Sequence, residues 1–200
     1  MHGKFLLAPI LLAISPGLLA DACEDGQRAH DRMDYEAAVA AFTRCLNENG
    51  GASAASLHRR GRAYMKAGRY DAALDDFSAA IEADAAYAPA WNSRAWVHYV
   101  QGDLAAADAD IETAVRLAPV SPRVLDTRAH ILAAQGDAAQ AMVAFEQGMA
   151  QQSPAGVAKI QRKLRAQGIE PGPVDGLYGP RTRAALEACA RAACNLWKQP

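Results

Sequence analysis

Apolar residues recur every three to four positions along most of the chain, which is the spacing of one face of an α-helix. One such stripe runs from Ala54 to Ala67 and ends at Gly68-Arg69, a pair typical of a tight turn. A second stripe runs from Tyr70 to Ala83. The pattern predicts two helices joined by a short turn, and its continuation predicts an all-α fold.

The same pattern returns at a fixed interval of 34 residues. The matching columns are Leu57/Trp91/Leu125, Arg60/Arg94/Arg128, Gly61/Ala95/Ala129, Gly68/Gly102/Gly136, Ala73/Ala107/Ala141, Phe77/Ile111/Phe145 and Ala80/Ala114/Gly148. A period of this length indicates stacked helical units, in which small residues allow close helix contacts and Phe or Ile fills the space between neighbouring units.

With Tyr64, Tyr70 and Ala118-Pro119, these columns resemble the tetratricopeptide repeat (TPR) family. The resemblance is strong over 54–87, 88–121 and 122–153, and a degenerate unit precedes it over about 23–53. It departs at Arg60, Arg94 and Arg128, where the family usually has leucine. Asp76 and Asp110 recur in phase on the second helices, so we expect Arg–Asp pairs between adjacent helices.

The resemblance implies a TPR-type solenoid whose first helices line a concave groove for a protein or peptide. Trp96 lies off the core column of Trp91, and could either anchor a peptide or pack on a neighbouring helix. The groove candidates are His58, Arg62, Lys66, Asn92, Trp96, Tyr99, Asp126 and His130.

The first 22 residues have the pattern of a secretory signal peptide. His2 and Lys4 precede a broken apolar run, which ends in the small-x-small sequence Ala20-Asp21-Ala22. We therefore expect an exported protein, periplasmic or secreted, that starts at Cys23. Acylation of Cys23 is the less favoured alternative, because Asp21 fits a lipobox poorly.

Export makes disulfides the expected use of Cys23, Cys45, Cys189 and Cys194. Three pairings are possible. The favoured one joins Cys23 to Cys45 and Cys189 to Cys194. The second pair requires a helix to end between its cysteines. No spacing typical of a metal site is present, and no metal or other cofactor is expected.

After Ser153-Pro154 the period fails and positive charge accumulates. From Ser153 onward eight basic and three acidic residues give a net charge of +5, whereas residues 23–152 carry about −6. Helical stripes flank a loop rich in glycine and proline. This pattern predicts a second module over 154–200, whose first helix would cover the exposed end of the solenoid.

Ile160-Gln-Arg-Lys-Leu164 and Pro173-Val-Asp-Gly-Leu-Tyr-Gly-Pro-Arg-Thr182 resemble the peptidoglycan-binding-like domain, in a shortened form with Cys189 and Cys194 near its end. The resemblance suggests peptidoglycan as a partner, although most of the motif is expected to build the fold. The candidate wall-binding residues are Gln161, Asp175, Tyr178, Arg181 and Thr182.

Charge and motifs narrow the class of protein. A net charge of −1 gives no general attraction to nucleic acid or to an anionic membrane, and no catalytic motif is found. The sequence therefore predicts an exported non-enzymatic TPR adaptor in the cell envelope, which peptidoglycan could localise. The alternatives are an accessory subunit of a wall hydrolase, and a secreted interaction protein whose last module is only a structural cap.

Overall fold

The computed structural model describes residues 21–48, 53–194 and 196, and the signal peptide predicted over 1–22 lies outside this part except for its last two residues. Within it the chain forms ten α-helices and no strand. They are α1 (Ala22–Asp31), α2 (Tyr35–Glu48), α3 (Ala54–Lys66), α4 (Tyr70–Ala83), α5 (Ala88–Gln101), α6 (Leu104–Leu117), α7 (Pro122–Ala134), α8 (Ala138–Ala150), α9 (Pro154–Ala166) and α10 (Pro180–Arg191).

The first eight helices pack as four pairs, and each pair packs on the next. The odd-numbered helices α3, α5 and α7 also contact one another in sequence. This stacking confirms the predicted all-α repeat fold, and it places the odd-numbered helices side by side along one face.

Close approach between the helices of a pair depends on glycine in the first two units. A Cβ on Gly61 would lie 2.7 Å from the ring of Phe77, which is fully buried. Gly26 plays the same part beneath Phe42, at 2.6 Å. The degenerate first unit thus keeps the glycine-on-phenylalanine packing of the second, although the repeat columns did not reveal it.

The C-terminal module completes the solenoid. Helix α10 packs against α7 and α8, in the position that the first helix of another repeat would take. Leu186 and Cys189 of α10 share a buried cluster with Phe145 of α8 and with Leu164 of α9. The predicted cap was α9, and the structure shows that α10 makes the main helix contact, because the loop after α9 returns the chain to α8.

Two disulfides join the favoured cysteines, Cys23 with Cys45 and Cys189 with Cys194. The first ties α1 to α2. The second joins Cys189, in the last turn of α10, to Cys194 five positions later, and Ala193 takes a positive φ of 47° between them. The helix therefore ends between its cysteines, as the spacing requires.

The recurring arginines bind an aspartate of their own repeat in two repeats out of three. Arg60 donates two hydrogen bonds to Asp76, at 2.8 and 2.7 Å, and Arg94 donates two to Asp110, at 2.7 and 2.8 Å. In the third repeat the matching position is Ala144, so Arg128 binds Glu112 of α6 instead, at 3.0 Å. The two Arg–Asp pairs expected from the spacing are confirmed, and the third arginine binds a glutamate of the preceding repeat.

Candidate functional site

The candidate binding surface is the inner groove, which we define as the face formed by α3, α5, α7 and α9. It contains a cavity of about 480 Å³ between α5, α7 and α9. Asn92, Arg123, Asp126, Lys159 and Ile160 contribute to its wall. The repeats and the C-terminal module therefore build this cavity together.

The groove candidates differ in how deeply they are buried. His58, Asn92 and His130 are buried, while Arg62, Trp96, Tyr99 and Asp126 are partly exposed and Lys66 is exposed. His58 Nε2 lies 3.0 Å from Ser93 Oγ on the next repeat. The buried side chains thus form the floor of the inner groove, and the side chains of the other candidates are accessible to a ligand.

Burial, together with the positive charges of Arg62, Arg123 and Arg59, lowers the pKa of His58 to about 3. The folded protein therefore favours the neutral form of the His58 imidazole.

We expect His58 to destabilise the fold in acid. Its pKa lies below the ordinary value of 6.5, so the unfolded chain binds the extra proton: stability is complete above about pH 6.5 and falls as the pH drops toward 3. At pH 5 the loss from this group is about 2 kcal/mol. Urea unfolding of His58→Gln from pH 7 to pH 5 should show a shallower dependence than the parent chain, and equal slopes would contradict this assignment.

Aromatic rings line the groove where the C-terminal segment reaches it. The ring of Trp96 lies 5.1 Å from Tyr99 and 5.9 Å from His130, measured between centroids. His130 Nδ1 donates a hydrogen bond to the carbonyl oxygen of Cys194 at 3.1 Å, and burial lowers its pKa. Trp96 is therefore packed on the neighbouring helix α7 and partly exposed, and its role as a peptide anchor stays a prediction.

Three of the candidate wall-binding residues form the internal hydrogen bonds of the module. Gln161 Nε2 donates to Asp175 Oδ1 at 3.0 Å, to Thr182 Oγ1 at 3.1 Å and to the carbonyl of Leu177 at 3.1 Å. Gln161 Oε1 accepts from the amide of Gly176 at 3.0 Å. The loop motif is thus held in place by hydrogen bonds to one buried side chain, that of Gln161.

Tyr178 and Arg181 have different surroundings. Tyr178 packs against the cluster shared with the solenoid, and burial together with Glu146 raises its pKa. Arg181 is exposed beside a shallow pocket of about 470 Å³, which Pro171, Pro173 and Leu177 also line. Leu177 is 65% exposed at this pocket. The sequence does not indicate its exposure, because a loop without periodicity does not show which side chains face the solvent.

In the part of the chain that the structure describes, no group of three or more His, Cys, Asp or Glu side chains could hold a metal ion. Among the same residues, no helix is long and apolar enough to cross a membrane.

The stacked helix pairs and the accessible inner face define a helical-repeat protein. Comparison with family models identifies it further. The tetratricopeptide repeat model matches residues 23–88, 58–122 and 94–157, and the chain belongs to the TPR family. The model described as "Putative peptidoglycan binding domain" matches residues 153–189. No catalytic family was found, and no curated protein matches.

Solved TPR structures share the fold. The thermophilic TPR protein TTC0263 of Thermus thermophilus is 20% identical, with a TM-score of 0.63, over 84% of this chain and 96% of that one. The second TPR domain of human RPAP3, in complex with the HSP70 peptide SGPTIEEVD, is 28% identical with a TM-score of 0.52. That likeness covers 56% of this chain and 92% of the human domain. The first TPR of Spaghetti (RPAP3), bound to the HSP90 peptide SRMEEVD, is 19% identical with a TM-score of 0.54, over 57% and 90% of the two chains.

Proposed function

We propose that this protein is an exported, non-enzymatic adaptor that holds a protein or peptide in its inner groove and is localised in the cell envelope by its C-terminal module. The observation that supports this most directly is the cavity of about 480 Å³ on the inner face, which polar and apolar side chains of the repeats and of α9 line together. Grooves of this kind bind extended peptides through a few anchoring side chains.

The solved relatives support a peptide as the occupant. The human RPAP3 domain, at 28% identity, is in complex with a peptide that ends in Glu-Glu-Val-Asp. In this chain the corresponding inner face carries Arg62 and Lys66 on α3, which suit an acidic ligand.

The envelope location is supported by three independent features. They are the signal-peptide pattern before Cys23, the two disulfides, which persist in oxidising compartments, and the match of 153–189 to a peptidoglycan-binding family.

We expect peptidoglycan binding to use the exposed pocket beside Arg181, in which Leu177 is accessible and Gln161 is part of the buried lining. Full-length oxidised protein should pellet with isolated peptidoglycan. The double variant Leu177→Asp/Arg181→Glu should pellet several-fold less, because it removes an exposed apolar contact and reverses a charge that faces an anionic polymer. Arg162→Glu is the matched control, since Arg162 is exposed on α9 outside that pocket.

Unchanged pelleting of the double variant would contradict the pocket as the wall site. Failure of the parent chain to pellet would favour a second function for the module, a structural cap on a secreted interaction protein. A specific observation favours this alternative: α10 seals the end of the solenoid, and Gln161, Asp175 and Thr182 are occupied with one another. An accessory role beside a wall hydrolase is compatible with either outcome.

A further inference from the structure

Helix α10 ends in a left-handed turn that glycine makes at the ends of other helices in this chain. Helices α3, α5, α7 and α9 are each followed within two residues by a glycine with a positive φ, namely Gly68, Gly102, Gly136 and Gly168. After α10 the corresponding residue is Ala193, with a φ of 47°. This conformation is unfavourable for a residue that carries a Cβ, so the turn after α10 is intrinsically less stable than the glycine turns.

The backbone hydrogen bonds of this turn are nevertheless those of a glycine turn. The N–H of Cys194 donates to the carbonyl oxygen of Cys189 at 2.9 Å. After α9 the N–H of Ile169 donates to the carbonyl oxygen of Leu164 at 3.0 Å in the same way, and the side chains of these two residues belong to one apolar cluster. In α10 the two cysteines take these positions, so a disulfide replaces the apolar contact and holds a turn that alanine does not favour.

The turn also places a backbone carbonyl at the inner groove. His130 of α7 is 1% exposed, and its Nδ1 donates a hydrogen bond to the carbonyl oxygen of Cys194 at 3.1 Å. The imidazole makes T-shaped contacts with the ring of Trp96, at 5.9 Å between centroids, and with Phe145, at 5.3 Å. The end of α10 is therefore connected, through His130, to the partly exposed ring of Trp96 in the groove.

The two cysteines of this disulfide differ in their exposure to a reductant. Cys189 is fully buried, whereas Cys194 is half-buried. A thiolate of a dithiol reductant therefore attacks the sulfur of Cys194, forms a mixed disulfide with it and expels Cys189 as a thiolate, which takes up a proton. The second thiol of the reductant then forms the reductant's own disulfide and releases Cys194 as a thiol. The exchange yields two cysteine thiols and one oxidised reductant.

We propose that the Cys189–Cys194 disulfide is a redox switch for the inner groove: the oxidised form holds the turn after α10 and its contact with His130, and reduction by a protein dithiol releases both. Without the covalent bond, Ala193 leaves the left-handed conformation and the carbonyl of Cys194 moves with it. This inference rests on the proposed function of the groove and adds its regulation.

NMR spectroscopy of the full oxidised chain tests the switch without a partner. The open variant, Cys189→Ala/Cys194→Ala, imitates the reduced state and keeps the disulfide between Cys23 and Cys45. We expect its amide at position 194 to exchange about tenfold faster than in the parent chain, and the indole N–H signal of Trp96, assigned with Trp96→Phe, to shift. Dithiothreitol should shift the signal of the parent chain in the same direction, and reoxidation should return it.

Two further variants separate the switch from a general loss of structure. Cys23→Ala/Cys45→Ala removes the other disulfide and should leave both the exchange rate and the Trp96 signal at the values of the parent chain. Ala193→Gly, added to the open variant, supplies the residue that a left-handed turn favours. It should restore the exchange rate at position 194 to within about threefold of the parent chain.

The proposal fails on any of three results. If the open variant keeps the exchange rate and the Trp96 signal of the parent chain, the disulfide does not hold the turn. If Ala193→Gly restores nothing, or if protection is lost throughout α7 and α8, the bond supports the whole module and no local switch exists. A Cys189–Cys194 bond that dithiothreitol leaves intact in the folded protein would exclude the reduction step. None of these measurements includes a partner, so each result leaves the proposed adaptor function to be tested separately.

Discussion

Leu186→Ala should destabilise the protein by about 3–4 kcal/mol and loosen the third repeat along with the C-terminal module. Leu186 is fully buried in the cluster that joins α10 to Phe145 of α8 and Leu164 of α9. Removal of its side chain leaves a cavity at the contact that closes the solenoid. Urea unfolding measures the loss, and hydrogen exchange shows where it falls: amides of α7 and α8 should lose protection together with those of α10.

Leu177→Ala is the matched control, because Leu177 belongs to the same module and is 65% exposed. It should change stability by less than about 0.5 kcal/mol. If Leu186→Ala releases α9 and α10 while exchange in α7 and α8 is unchanged, the module is an independent domain and the account of the cap is wrong.

Asp76→Ala should cost about 3 kcal/mol, nearly as much as the loss of Leu186. Its carboxylate is buried and accepts both hydrogen bonds of the Arg60 guanidinium, at 2.8 and 2.7 Å. Removal of the acid leaves a largely buried cation without its partner, which is the costly way to break such a pair. Denaturant unfolding should show the effect, and Asp110→Ala should match it through Arg94.

The neighbouring acid provides the control, since Asp75 is exposed on the same helix and its replacement by Ala should have little effect. The double variant Arg60→Ala/Asp76→Ala should be more stable than the sum of the single losses predicts, because neither charge is then buried alone. Additive losses would contradict a direct Arg60–Asp76 interaction as the source of the effect.

The sequence was sufficient to predict the repeat fold because the same steric requirement returns every 34 residues. Gly61, for example, is restricted by contact with Phe77, and the same columns recur in the next two units. The Arg–Asp pairs could be predicted because the arginines and the aspartates recur at the same 34-residue spacing. The partner of Arg128 could not be predicted in this way, because the residue in phase is Ala144 and Glu112 of the preceding repeat binds the arginine instead.

Features that depend on the path of the chain between elements could not be predicted from the sequence. The cap was assigned to α9, yet the Gly- and Pro-rich loop carries α10 back onto α8. Gly176 shows how tightly this loop is fitted, since a Cβ there would lie 2.5 Å from the carbonyl oxygen of Pro154. The position of α9 at the cavity depends on the same path, so the groove candidates lie on the repeats and the sequence does not indicate the part that α9 takes in the cavity wall.

The central claim is that the inner groove holds a protein partner, and site-specific photo-crosslinking in the organism that makes the protein tests it most directly. A benzophenone amino acid at Trp96 would lie in the groove, whereas the same group at Val143, which is 54% exposed on α8, would lie outside it. We expect discrete protein adducts from position 96 that Arg62→Glu abolishes, and none from position 143. Adducts from position 143 alone, or adducts at 96 that are insensitive to Arg62→Glu, would contradict a binding site in this groove.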